Sequence, residues 1–246
     1  MRLRLQKFIA QAGICSRRAA EVLIKEGRVV INNGQIAQIG DSVDPSVDKV
    51  QVDGQHIGSL QEQYLIYHKP PKVMCSRGDT HGRHTLYDDL PSHLHHLFYA
   101  GRLDFLSEGL VVLTNDGHFK QQLTHPRFRI EKQYHVWVRG LQDPHSFREF
   151  ARAGIRDGED LLKAKRVSVI SQQKGLLQLE IILEEGKYRE IRRMIHAAGA
   201  KVVRLLRLRV GDLSLRGLKP ARWRNFQADE LNFVSRLNRD SSYKTQ

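Results

Sequence analysis

The sequence contains only two cysteines among 246 residues, Cys15 and Cys75. Two cysteines cannot form a disulfide framework, and they lack the spacing of a zinc site, so we expect reduced thiols. The chain also has no apolar run near the roughly 20 residues that a membrane-spanning helix needs. Its first residues, MRLRL, lack the apolar core of a signal peptide. We therefore expect a cytoplasmic protein with no membrane partner.

Acidic residues are scarce relative to basic ones. The chain has 27 Asp and Glu against 40 Lys and Arg, which gives a formal charge of +13 and a pI near 10.0. Such an excess is typical of proteins that bind a polyanion. The basic residues are not confined to one amphipathic helix, so the pattern favours nucleic acid over a membrane surface.

The N-terminal region has the pattern of two helices followed by a hairpin. Apolar residues from Leu5 to Ala12 recur at helical spacing and end at Gly13, and Ser16 is placed to cap a second helix that ends at Gly27. We expect Ala19, Ala20, Val22 and Leu23 to face inward. Two short strands, 29–31 and 35–37, flank an Asn-Gly turn.

This region is also basic, with seven Lys and Arg against two Glu in residues 1–40. Arg17 and Arg18 lie in the first helical turn, where they oppose the helix dipole, so either phosphate contact or a solvated basic face is possible. The sequences LQKFIAQAGICSRR (5–18) and GRVVINNG (27–34) resemble the S4 RNA-binding domain. That resemblance implies RNA contacts by Lys7, Arg17 and Arg18.

The polar stretch 58–63 is the predicted linker between an N-terminal domain of residues 1–60 and a second domain of residues 61–235. A strand over 64–69 should end at the prolines that follow it, before a polar loop over 72–85. Later patterns predict strands over 131–140 and 176–183 and a helix between Gly186 and Gly199. Residues 236–246 are polar, and we expect a disordered tail.

One motif stands apart from this scaffold, GRLDFLSEGL at 101–110, which precedes the apolar VVL and then TNDG. Asp104 is a carboxylate placed just before a segment with the composition of a buried strand. On spacing alone, an aspartate that closes a turn is the favoured interpretation.

Together with EKQY (131–134) and EGKYREIRRM (185–194), this motif resembles the bacterial pseudouridine synthases of the small-subunit and large-subunit rRNA type. The resemblance implies an α+β fold: a small N-terminal S4-like domain and a larger catalytic domain with a mostly antiparallel mixed sheet and flanking helices. It implies isomerisation of uridine to pseudouridine without cofactor or metal. Asp104 would be the catalytic carboxylate, Arg192 its partner in a bidentate pair, and Tyr134 the ring that packs on the uracil.

Further RNA contacts would come from the basic residues that flank these motifs, Lys69, Arg83, Arg102, Lys187 and Arg193. The sequences HPR (125–127) and VGDL (210–213) look most like the large-subunit type B branch. This likeness implies 23S rRNA as the partner, either free or in an assembling subunit. We expect the protein to act as a monomer.

Alternative interpretations remain open at this point. The chain could be a non-catalytic RNA-binding assembly factor, or a synthase that acts on 16S rRNA or tRNA. A glycosidase would need a second carboxylate, for which Glu108 and Asp116 are the nearest candidates. The histidines have no accompanying cysteine, so we do not expect a metal site at His81, His84, His93, His95 and His96.

Overall fold

The computed structural model describes residues 2–58 and 61–242, so Ser59 and Leu60 of the predicted linker lie outside the described residues. The chain forms two compact units. The first falls within residues 1–63, 92–98 and 114–117, and the second within 64–91, 99–113 and 118–246. No helix in the described ranges is both long and apolar enough to cross a membrane.

The first unit packs two helices against short antiparallel strands. Its core consists of apolar side chains such as Leu5, Phe8, Ile24 and Val50. The elements are β1 (Leu3–Arg4), α1 (Leu5–Gln11), α2 (Arg17–Lys25), β2 (Val29–Ile31), β3 (Gln35–Ile36), β4 (Ser42–Val43), β5 (Val50–Val52) and β6 (Gln55–Ile57). Four strands pair in the order β3-β2-β5-β6, and β1 pairs with β4.

The local signals of this unit are confirmed with two exceptions. Ser16 Oγ accepts a hydrogen bond of 3.2 Å from Ala19 N at the start of α2, and Gly34 turns the hairpin with φ +95°. Ala19 and Val22 do not face inward, because each lies beside the buried stripe of α2 and not on it; both are exposed, Val22 by 51%. Ile24 occupies the core in place of Val22.

The second unit is built on a nine-stranded mixed sheet. The strands of this unit are β7 (Tyr64–Lys69), β8 (Phe98–Ala100), β9 (Glu108–Thr114), β10 (Lys132–Arg139), β11 (Ile155–Asp157), β12 (Asp160–Leu162), β13 (Arg166–Gln173), β14 (Leu176–Leu183), β15 (Lys201–Val210), β16 (Leu213–Ser214) and β17 (Trp223–Asn225). The main path of the sheet runs β13-β14-β10-β15-β9-β7-β17, with β16 paired to β15 and β8 to β9. The pair β9–β15 is parallel, whereas β10 is antiparallel to both β14 and β15.

Four helices flank this sheet, and β11 and β12 form a separate hairpin. A core cluster joins Leu110 and Val112 of the sheet to Phe119 and Phe233 of two helices. Every residue of β9 is buried, on both faces of the sheet, which is why this strand reads as a continuous apolar run. The helices are α3 (Gly117–Thr124), α4 (Pro144–Ala153), α5 (Glu190–Ala197) and α6 (Ala228–Ser242).

Two predictions about helix ends are wrong. The helix expected from Gly186 begins only at Glu190, because Arg189 has a left-handed backbone with φ +49°. The expected disordered tail is wrong for 236–242, which continue α6, and Arg236 forms an ion pair with Asp212. Residues 243–246 lie outside the described residues.

Gly109 makes the parallel pairing of β9 with β15 possible. It lies directly opposite Arg207 in the register and has φ +119°. A Cβ atom at this position would lie 2.2 Å from the Arg207 carbonyl oxygen. Both the backbone conformation and the close approach therefore require glycine.

We expect Gly109→Ala to lower the free energy of unfolding by about 3 kcal/mol or more, because two backbones must separate. The control is Gly217→Ala, where φ is +76° but no atom lies within 4 Å of the added Cβ; only the backbone cost of about 1 kcal/mol applies there. Urea unfolding of both variants measures the difference. Equal losses would show that the β9–β15 approach is not tight.

Candidate active site

The second unit contains a cavity of about 150 Å³ whose wall includes Asp104, Tyr134 and Arg192. Asp104 comes from the loop before β9, Tyr134 from the inward face of β10, and Arg192 from the first turn of α5. Residues separated by almost 90 positions in the sequence therefore share one site, as the resemblance implied.

Arg192 approaches Asp104 at ion-pair distance and not through a bidentate hydrogen bond, so the predicted geometry is wrong in this detail. Its Nε lies 4.0 Å from Asp104 Oδ2, and Arg189 Nη1 lies 4.0 Å from the same oxygen. Arg192 does not form a bidentate pair with Asp104 because its Nη2 instead donates to Leu106 O and Ser107 Oγ, both at 3.3 Å.

The Arg192 Nε is buried and has no hydrogen-bond partner in the described part of the chain. Burial lowers the pKa of Arg192, and the positive charge of Arg189 lowers it further, while Asp104 opposes the shift. This buried N–H group faces the Asp104 carboxylate but makes no hydrogen bond. A small movement of either side chain, or a bound substrate, would supply an acceptor for it.

Lys69 is fully buried beneath the Asp104 loop, which contradicts the prediction that it contacts RNA. Its Nζ donates to Ser107 O at 2.6 Å, Pro70 O at 2.9 Å and Phe105 O at 3.4 Å. Burial lowers the pKa of Lys69 to about 8. The ammonium group therefore fixes the loop backbone on the C-terminal side of Asp104 and has no surface to offer a ligand.

Buried residues of β10 alternate with half-buried or exposed ones along the strand. Tyr134 is one of the buried residues and is 6% exposed. Lys132 lies two residues before it on the same face, and Arg207 lies opposite it on β15. Lys132 and Arg207 are both buried and both line the cavity. Sequence reasoning assigned them no role, although the period of two along β10 places Lys132 beside Tyr134.

The other predicted RNA contacts lie in different environments. Arg102 and Lys187 line the cavity, and Lys187 Nζ donates to Leu161 O at 2.7 Å. Arg83 pairs with Asp79 at 2.6 Å, and its guanidinium carbon lies 5.7 Å from the centre of the Phe105 ring.

Arg193 points away from the cavity. It pairs with Asp157 and, at 2.8 Å, with Asp160. This places it within the fold, so its assignment to RNA is not supported. In the first unit, Arg17 and Arg18 are exposed and Lys7 is half-buried.

Both cysteines are free thiols. Glu108 pairs with Arg204, and neither Glu108 nor Asp116 lines the cavity that contains Asp104. Among residues 2–58 and 61–242, no three His, Cys, Asp or Glu side chains come together in a way that could hold a metal ion.

Comparison with known families gives two matches. Residues 63–197 match the model of the RNA pseudouridylate synthase family, and residues 3–48 match the model of the S4 domain. The first match includes Asp104, Tyr134 and Arg192, and the second includes Lys7, Arg17 and Arg18.

Relatives match over most of their length. Proteins named ribosomal large subunit pseudouridine synthase B are 36% identical in Bacillus subtilis, over 87% of this chain and 88% of theirs, and in Escherichia coli K12, over 95% and 82%. A solved structure described as a pseudouridylate synthase superimposes with a TM-score of 0.65 at 29% identity, over 94% of this chain and 99% of that one. The chain therefore belongs to the family of RNA pseudouridine synthases, the isomerases that convert uridine to pseudouridine in RNA, and carries an S4 domain ahead of its catalytic domain.

Proposed function

We propose that this enzyme isomerises a uridine of the large-subunit ribosomal RNA and that Asp104 is its catalytic carboxylate. The relatives from Bacillus subtilis and Escherichia coli carry names that specify the ribosomal large subunit. The observation that carries the proposal is the cavity that joins Asp104, Tyr134 and Arg192, with two guanidinium groups 4.0 Å from the carboxylate.

The reaction requires few catalytic groups. The bond between N1 of the base and C1′ of the ribose breaks, the ring turns over, and C5 bonds to C1′. One carboxylate beside the sugar suffices, either as a nucleophile at C1′ or as a base at C2′. Arg189 and Arg192 supply the positive charge that compensates Asp104 in the cavity.

The target base must leave its helix to reach this carboxylate, at a cost of a few kcal/mol in stacking and pairing. Tyr134 presents a ring at the cavity wall on which the uracil can stack, a contact worth about 1–3 kcal/mol per base. Arg102 is exposed at the rim and is placed to hold a phosphate or to fill the space that the base vacates.

Affinity for the RNA comes, in this proposal, from basic side chains that are exposed or half-buried. Arg17 and Arg18 of the S4 domain contact phosphates, with Lys7 beside them and Arg83 and Lys187 on the catalytic domain. The domain boundary lies near residue 60. We propose that the protein acts as a monomer in the cytoplasm, on free ribosomal RNA or on an assembling subunit.

Asp104→Asn should lower the single-turnover rate at least about 1,000-fold, because the amide is neither a base nor a nucleophile of useful strength. RNA affinity should change by less than about twofold, since phosphate contacts supply most of it. Carbodiimide adduct mapping of treated large-subunit RNA measures the product. The control is Asp229→Asn, an exposed carboxylate paired with Arg216. Substantial pseudouridine formed by Asp104→Asn would remove Asp104 from the mechanism.

The double variant Arg17→Ala/Arg18→Ala tests the S4 contribution. We expect weaker RNA binding and a slope of log affinity against log salt that is shallower by about 1.4–1.8, because two phosphate contacts are lost. The rate at saturating RNA should not change. Filter binding at several salt concentrations gives the slope. Arg148→Ala/Arg152→Ala on α4 is the matched control, and the same slope for both pairs would contradict a specific S4 contact.

A further inference from the structure

Two buried cations flank Tyr134 at the cavity wall. Lys132 precedes it by two residues on β10, and Arg207 is its partner in the register on β15, so all three side chains share one face of the sheet. Lys132 is 9% exposed and Arg207 is 5% exposed. Because Tyr134 is the proposed stacking platform, the ring of a bound uracil would have these cations near its edges.

The hydrogen-bonding capacity of both cations is only partly used. Lys132 Nζ donates to Ile130 O at 2.8 Å and to Glu184 O at 3.3 Å, which leaves one of its three N–H groups. Arg207 donates from Nε to Leu110 O at 2.8 Å. Within the described ranges, its two Nη groups have no partner, and neither cation pairs with a carboxylate within 4.0 Å.

The positive charges of Lys132 and Arg207 also repel each other. Burial lowers the pKa of Lys132 to about 8, and the positive charge of Arg207 contributes to the shift, against Glu190 and two neighbouring glutamates. Cations held in a cavity without a paired anion are costly. The cost is recovered when negative charge appears beside them, and the uridine substrate itself is neutral.

The reaction generates such a charge. When the N1–C1′ bond breaks, its electron pair leaves with the base, whether Asp104 attacks C1′ or takes the C2′ proton. The detached uracil is then an anion with charge spread over N1, O2 and O4. It becomes neutral again when C5 bonds to C1′, while the Asp104–C1′ bond breaks on the first route or C2′ regains its proton from Asp104 on the second. The C5 proton then leaves and N1 gains a proton. The anion exists only between these two steps.

We propose that Lys132 and Arg207 bind the carbonyl oxygens of the target uracil and stabilise its anion after glycosidic cleavage. This inference rests on the proposed function and adds two catalytic residues to it. Donors fixed in advance at the place where charge develops lower the barrier without being reorganised during the reaction. They bind the intermediate more tightly than the substrate, so they increase the rate and not the affinity for RNA.

The test compares two leaving groups in full-length protein. Single-turnover rates are measured at saturating RNA on a large-subunit transcript that the wild type modifies, made with uridine or with 5-fluorouridine. Nuclease digestion and chromatography follow the loss of the starting nucleoside. Fluorine withdraws electrons, so the departing base is a more stable anion and needs less help. The variants are Lys132→Met, Lys132→Arg and Arg207→Gln, with Lys165→Met as an exposed lysine control.

We expect Lys132→Met and Arg207→Gln to lower the rate with uridine by about 100-fold or more, the effect of losing one fixed donor to a developing anion. The loss with 5-fluorouridine should be about 10-fold or less. Lys132→Arg should recover most of the activity, and RNA affinity and the Lys165→Met rates should match the wild type.

Equal losses with both nucleosides would overturn the proposal, because they would indicate a role in shaping the cavity. A loss of RNA affinity at unchanged rate would also overturn it and assign the cations to a phosphate. If one variant does not fold, the rates of the other variant test the proposal. If neither variant folds, the proposal is overturned, because both cations would then be needed for folding in the absence of RNA. Wild-type protein that forms no pseudouridine in any large-subunit transcript would instead refute the proposed function.

Discussion

The Lys69 ammonium group lies beneath the loop that carries Asp104 and donates hydrogen bonds to the carbonyl groups of Pro70, Phe105 and Ser107. A buried cation is tolerated only where its donors are satisfied, so those carbonyls cannot move without exposing a charge to an apolar environment. The end of β7 is thereby tied to the loop before β9. Asp104 itself is only partly buried and accepts no strong bond from Arg192, so its position depends on this backbone and not on its own side-chain contacts.

The cations of the cavity form two pairs that differ in burial and in the groups they contact. Arg189 and Arg192 lie near Asp104 and compensate a carboxylate that is 31% exposed. Lys132 and Arg207 are more deeply buried and are held by backbone carbonyls. The first pair compensates a charge that the protein carries permanently. Among the described residues, no carboxylate lies within 4.0 Å of the second pair, which fits a site whose ligand is neutral on entry and charged only during the reaction.

Periodicity predicts the local elements well, and the reason is visible in particular strands. β10 alternates between buried and half-buried residues over its whole length, and α1 buries Leu5, Phe8 and Ile9 at helical spacing. Asp104, Tyr134 and Arg192 were found only through the family resemblance, because nothing local distinguishes a catalytic aspartate from one that closes a turn. The burial of Lys69 was missed because lysine is almost always a surface residue. The parallel register of β9 with β15 depends on residues almost 100 positions apart, so no local pattern contains it.

The consecutive arginines of α5 show how the helix connects the scaffold to the site. Successive residues on a helix point about 100° apart, so Arg192 and Arg193 must serve different neighbours. Arg193 donates to Asp157 and Asp160 at the β11–β12 hairpin and to the carbonyl groups of Asp157 and Tyr188. These bonds fix the rotation of α5 about its axis, while Ile191 and Ile195 bury its opposite side. The direction of Arg192 follows from that rotation. The bonds of Arg193 to the β11–β12 hairpin therefore help to direct Arg192 towards Asp104.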